Sequence, residues 1–142
     1  MDEMTVVIAG GARTAMGGLN GAFAAVSATE LGAAAIRAAV ERSGLRGEDI
    51  DEVIMGCVLP AGLRQGPARQ AAIAAGIPKS SGATTVNKLC GSGMQALIFA
   101  HDQLKAGTNR VMVAGGMESM SGAPHLLLNA RGGYRLGHVE AK

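Results

Sequence analysis

Cys90, followed by Gly91, Ser92 and Gly93, is the residue of this sequence best suited to covalent chemistry. Thr84, Thr85 and Val86 before it are β-branched and suit an extended strand, while Met94, Leu97, Ile98 and Leu104 after it recur at helical spacing. Cys90 is therefore expected at a helix N-terminus. There the unpaired N–H groups and the positive end of the helix dipole favour a thiolate and make the sulfur a nucleophile. The small residues beside it let an acyl substrate or another chain segment approach closely. The opposing reading is that a lone cysteine packs as a small apolar core residue. Position alone leaves both open.

Other residues with chemical potential are read as structural. Cys57 lies inside the apolar run 53–59 with no helix terminus or neighbouring cation, and is expected to pack as a small hydrophobe. Asp49, Asp51 and Glu52 precede that run as solvated loop acids, so no metal site is expected. The glycine-rich residues 11–18 have neither G-x-G-x-x-G spacing nor the Lys-Ser/Thr pair of a phosphate loop, which leaves a turn with Arg13 tying loops together. His101 is expected on a helix and His125 in a loop; with His138 they are read as structural or solvated.

Composition narrows the class. The chain has 142 residues, 48% hydrophobic but only 2% aromatic, with 22 glycines, so a core must be assembled from Ala, Val, Ile, Leu and Met at close range. Thirteen basic and 11 acidic residues give a formal charge of +2 and form no basic block, which argues against a nucleic-acid or anionic-membrane partner. Acidic Asp2 and Glu3 stand where a targeting peptide wants base, and the apolar runs are too short to span a bilayer. Two cysteines form neither a disulfide framework nor a metal-ligand spacing. A cytoplasmic protein is expected.

The elements that must position Cys90 follow in order. Residues 5–9 form a β-branched apolar run expected as a first buried strand. Ser27 and Glu30 have capping-box spacing and start a helix that ends at Gly44, with Ile36 and Val40 on one face and Arg37 paired with Glu41. A second strand is expected over 53–59, and a short helix from Pro67 to the stop at Gly76. A third strand over 81–87 leads into the cysteine turn and a helix over 91–106, apolar around most of its circumference and therefore expected to be buried. A fourth strand is expected over 110–114. Beyond residue 121 the pattern loses periodicity and reads as an excursion that packs on something else. Alternating strands and helices predict an α/β fold with a mostly parallel sheet covered on both faces.

These residues carry a family likeness. Arg13-Thr14, Val53-Ile54-Met55-Gly56, Pro67-Ala68-Arg69-Gln70-Ala71-Ala72, Asn87-Lys88-Leu89-Cys90-Gly91-Ser92-Gly93-Met94-Gln95-Ala96, Ala114-Gly115-Gly116-Met117-Glu118-Ser119-Met120-Ser121 and Ala123-Pro124-His125 resemble the N-terminal part of a thiolase of the acetyl-CoA acetyltransferase kind. The resemblance implies a layered βαβ half in which a buried helix follows the nucleophile. It implies residues 1–118 as the N-terminal α/β domain and 119–142 as the start of a loop region, the C-terminal half being absent. Cys90 is then implied as the nucleophile that carries the acyl-thioester intermediate, its backbone N–H forming part of an oxyanion hole.

The implied activity is acyl transfer between CoA thioesters, by thiolysis of a 3-ketoacyl-CoA or by Claisen condensation of acetyl-CoA. Coenzyme A and acyl-CoA enter as substrates, and no cofactor is bound. The family's activating histidine, second cysteine, and Asn and His of a further oxyanion site have no matching position here, so catalysis is expected to be incomplete in these residues alone. Ala15 stands where the family often has proline after Arg-Thr. Implied partners are further copies in a dimer or tetramer, or a chain supplying the C-terminal half. The alternative is a noncatalytic thiolase-like fragment or scaffold that pairs with a partner chain. Ketosynthase-like condensing enzymes share the layered architecture, but the Asn-Lys-Leu-Cys-Gly-Ser-Gly context is thiolase-like.

Overall fold

The computed structural model describes residues 5–142, so the acidic Met1-Asp2-Glu3 lies outside the described residues. Three parallel strands form the sheet: β1 (Glu52–Gly56), β2 (Gly82–Val86) and β3 (Met112–Gly116), in the order β2-β1-β3. In register, Glu52 stands beside Gly82 and Met112, and Gly56 beside Val86 and Gly116. Three helices accompany them: α1 (Ala28–Ser43), α2 (Pro67–Ala74) and α3 (Ser92–Lys105). The expected α/β class with a parallel sheet is what the chain forms.

From β1 the chain crosses through α2 to β2 on one side, then through α3 past β1 to β3 on the other. Crossovers of one hand that run in opposite directions must lie on opposite faces of the sheet. The strand residues divide accordingly. Val53, Met55 and Cys57 join Ile36 of α1 and Ala68, Ala71 and Ala72 of α2 in one buried cluster. Gly56 faces the start of α3. Each large side chain hidden here, Ile36, Val53 and Ile54 among them, stabilises the fold by about 1.5–3 kcal/mol relative to exposure.

Local chemistry fixes the helix ends. Ser27 Oγ accepts the Glu30 N–H at 3.2 Å and Glu30 Oε2 accepts the Ser27 N–H at 2.9 Å, closing the capping box. Gly44 ends α1 at φ +73°, a left-handed conformation that glycine adopts without penalty. Pro67 opens α2. Arg37, expected to pair with Glu41, instead donates from Nη2 to Ala74 O at 2.5 Å. The bond satisfies a carbonyl at the end of α2 and ties it to α1.

Several expectations are corrected. Residues 5–9 form no strand. Val7 is 74% and Ile8 88% exposed, and Gly10 instead docks on the end of α1, where Arg42 Nη1 donates to Gly11 O at 3.0 Å. The β-branched run has strand propensity, but among the described residues no strand lies beside it to complete a ladder. Helix α3 is not buried all round. Ser92, Ala96 and Ala100 face inward, while Met94, Leu97, Ile98 and Phe99 are exposed. Among the described residues Arg13 donates to the adjacent Thr14 O and ties no loops together. The segment beyond Ser121 is mostly exposed and is pinned by reciprocal bonds between Leu126 and Lys142 at 2.7 and 2.8 Å.

The loop acids are clips rather than solvated charges. Glu52 accepts from Thr84 Oγ1 at 2.7 Å and Asn109 Nδ2 at 3.2 Å. Asp51 Oδ2 accepts the N–H groups of Arg110 at 2.7 Å and Val111 at 3.0 Å, joining the entry of β1 to that of β3. These bonds, Val111 first and Arg110 second, hold the Asp51 carboxyl below the ordinary range. A depressed folded value stabilises the native state above the unfolded pKa of about 3.9, and the contribution is lost as pH falls through the folded value. Asp51→Asn is therefore expected to be less stable than the wild type near neutrality. The gap between their urea midpoints should narrow as pH is lowered below about 4. A constant gap would show that the carboxylate charge is not what Asp51 contributes.

Candidate active site

Because all three strands run the same way, their C-terminal ends meet on one edge of the sheet. The chain leaves β1 toward β2 on one side and returns to β3 on the other, so the strand order switches at β1. In open α/β sheets the crevice at such a switch point is where ligands bind. Here a cleft of about 330 Å³ opens at that place, lined by Gly56, Val58, Cys90, Gly93, Gly116 and Glu118, together with Leu89, Ser92 and Met117.

Cys90 lies in the turn between β2 and α3, one residue before the Gly91 cap. It is exposed, whereas Cys57 is buried, so the core reading holds for Cys57 and not for Cys90. Among the described residues no hydrogen-bond partner is found for the Cys90 sulfur.

The turn is held from both sides. Ser92 is 4% exposed; its Oγ accepts the Lys88 N–H at 2.8 Å and donates to Leu89 O at 2.6 Å. Asn87 Oδ1 accepts the Leu89 N–H at 3.0 Å. Leu89 sits at φ +51°, a left-handed conformation that a branched side chain adopts only when its surroundings impose it. Backbone bonds from Gly91 N to Lys88 O and from Ser92 N to Leu89 O complete the turn at 3.1 and 3.0 Å.

The first turn of α3 rests directly on the strand ends. A Cβ added to Gly56 would lie 2.6 Å from Ser92 C and 2.7 Å from Gly93 N, and one added to Gly116 would lie 3.3 Å from Gly93 Cα. Glycine is required at Gly56 for this approach, which brings the cysteine turn to the sheet edge.

Glu118, which the sequence did not single out, closes the other wall. Its Oε2 accepts the Val58 N–H at 2.8 Å and its Oε1 the Leu59 N–H at 3.1 Å, with Cys57 Sγ donating to Oε1 at 3.6 Å. Burial, and then the Glu118 charge, push the Cys57 thiol up to about 11, so it stays protonated and can donate. None of the three histidines lines the cleft. His101 sits on α3 with Nδ1 3.2 Å from Asp102 Oδ1, and His125 and His138 are exposed. Among the described residues no group of three or more His, Cys, Asp or Glu side chains could hold a metal ion, and no helix is long and apolar enough to cross a membrane.

Comparison with known proteins gives one consistent result. Residues 6–142 match the family model described as thiolase, N-terminal domain. The chain is 53% identical over 137 residues to an acetyl-CoA acetyltransferase of Rhizobium meliloti, covering 96% of this chain and 35% of the relative. It is 48% identical over 132 residues to a cytosolic acetyl-CoA acetyltransferase of Gibberella zeae, covering 93% of this chain and 33% of that one. Among solved structures, the Acat5 thiolase of Ascaris suum in complex with coenzyme A superposes with a TM-score of 0.90 at 40% identity, over 94% of this chain and 35% of that chain. The chain thus spans about a third of the length of the relatives it matches.

Proposed function

We propose, because this chain belongs to the thiolase family through its N-terminal domain, that Cys90 accepts an acyl group from a coenzyme A thioester. The observation that carries the proposal is an exposed thiol presented by a fixed turn into the cleft at the switch point of the sheet. The Cys90 sulfur attacks the thioester carbonyl carbon, the bond from that carbon to the CoA sulfur breaks, and CoA leaves with the proton lost by Cys90. The acyl-enzyme is itself a thioester, so the acyl group remains transferable. The Cys90 N–H, at the head of α3, is the donor proposed for the oxyanion formed during attack.

The second half of the reaction passes the acyl group either to CoA, which is thiolysis, or to the carbanion of a second acetyl-CoA, which is condensation. Both use the same acyl-enzyme. Coenzyme A as a substrate fragment is supported by the Ascaris suum thiolase, and a cytoplasmic location by the relative from Gibberella zeae. Residues beyond the third of the relatives spanned here are proposed to supply the base that activates Cys90, since no histidine of this chain reaches the cleft. Residues 119–142 are proposed as the start of the loop region.

A second reading, a pairing module without catalysis of its own, is favoured by the exposed apolar face of α3 formed by Met94, Leu97, Ile98 and Phe99. Intact mass after incubation with acetyl-CoA separates the two. An acetyl adduct that maps to Cys90 and is missing in Cys90→Ala supports acyl transfer. No adduct, even after the C-terminal part of a relative is added, overturns it.

A further inference from the structure

We infer that Glu118 is a positioning residue for Cys90, acting through the loop after β1 and the side chain of Asn87; the inference rests on Cys90 being the acyl acceptor. Both oxygens of the Glu118 carboxylate are taken up by one short loop. Oε2 receives the Val58 N–H, and Oε1 receives the Leu59 N–H and the Cys57 thiol. Two successive N–H groups on one carboxylate fix the peptide plane between them, and hence the direction of the Val58 carbonyl. That carbonyl accepts from Asn87 Nδ2 at 3.3 Å.

An amide side chain has one accepting end and one donating end. With Nδ2 committed to Val58 O, Oδ1 is turned toward the Leu89 N–H, which it accepts at 3.0 Å. Leu89 is the left-handed residue directly before Cys90. A continuous series of bonds therefore runs from Glu118 at the end of β3, across the loop after β1, to the residue that sets the angle of the nucleophile. Ser92 holds the same turn from the helix side, through the Leu89 carbonyl and the Lys88 N–H, and makes no bond to Asn87, Val58 or Glu118. Glu118 also lines the cleft with Cys90, which raises the opposing possibility that its charge acts on the thiol directly. The two roles differ in sign. A neighbouring carboxylate disfavours a thiolate, so removing its charge would speed acylation. Glu118→Gln places an amide donor against a backbone donor and releases the loop, so loss of positioning slows acylation.

The test uses the 142-residue chain and its Glu118→Gln, Asn87→Ala and doubly substituted variants. The maximal rate of Cys90 acetylation by acetyl-CoA is expected to fall about 10- to 100-fold in each single variant, with the half-saturating acetyl-CoA concentration unchanged and labelling still going to completion. The double variant is expected to be no slower than the slower single one, because both cut the same series. A merely structural role would lower the labelled fraction and leave the rate of the folded remainder alone. Amide hydrogen exchange reads the positioning without any chemistry at the sulfur. Glu118→Gln is expected to speed exchange of the Leu89 amide about tenfold, along with Val58 and Leu59, whereas Asn87→Ala speeds Leu89 alone. An unchanged Leu89 amide in Glu118→Gln, an unchanged or faster acetylation, or additive losses in the double variant overturn the inference. If the wild type takes up no acetyl group, the acyl-transfer reading fails by itself and the exchange rates still decide whether Glu118 sets the turn.

Discussion

Cys90→Ser is expected to lower the rate of acyl uptake from acetyl-CoA by roughly 10⁴-fold or more, with the fold unchanged. A sulfur is intrinsically a far stronger nucleophile than a hydroxyl oxygen, and a serine has essentially no anionic form near neutrality without a base to deprotonate it. None of this chain's three histidines reaches the cleft, so the serine has no such base among the described residues. The substitution is sterically small at an exposed position, and no hydrogen bond to the sulfur is lost. Unfolding free energies of wild type and variant from urea titration should therefore agree within about 0.5 kcal/mol. Stopped-flow or quenched-flow mass analysis checks the rate. A serine variant within tenfold of the wild type would remove Cys90 from the reaction.

Gly56→Val is expected to destabilise the fold by about 3 kcal/mol, the upper part of the range for overfilling a packed interior. The added Cβ would meet Ser92 C at 2.6 Å and Gly93 N at 2.7 Å, and these are backbone atoms at the start of a helix that cannot step aside singly. The whole first turn of α3 must lift, carrying Ser92 and both of its side-chain hydrogen bonds to the cysteine turn. The variant should consequently show faster amide exchange at Lys88, whose N–H is held by Ser92. Ile54→Val, at a fully buried position on the same strand, is the control for a change of volume without a backbone clash and should cost about 0.5–1.5 kcal/mol. If Gly56→Val costs no more than that control, the close approach is not what sets the height of α3.

What the sequence made legible was chemistry that acts within a few residues. Ser27 and Glu30 name their own capping box, Pro67 opens its helix, and a cysteine followed by Gly91, Ser92 and Gly93 marks a turn into a helix. Strand limits were less legible because they depend on remote partners. The run 53–59 stops pairing at Gly56, where the chain bends for Val58 and Leu59 to meet Glu118. The run 110–114 begins pairing only at Met112, since Asp51 takes the N–H groups of Arg110 and Val111. Residues 5–9 have strand composition, but among the described residues no strand lies beside them. Apolar residues surround α3 and so predict a buried helix, yet only its small residues Ser92, Ala96 and Ala100 are buried. Glu118 escaped notice because its partners are backbone groups 60 and 59 residues earlier, which leave no mark in a local pattern.

The order of the strands also governs how the molecule assembles. The contact that brings β2 to β1, from Ser81 to Ile50, closes 31 residues, while that from Asp51 to Val111, which brings in β3, closes 60. Parallel pairing of distant segments is slow, because the entropy of closing the loop is lost before the contacts form. The cleft lies between the ends of β1 and β3, so it depends on the longer closure. Until β3 is received, β1 would leave an open sheet edge beside the turn that carries Cys90. For a newly made molecule, that interval is when strand-to-strand aggregation would have its opportunity.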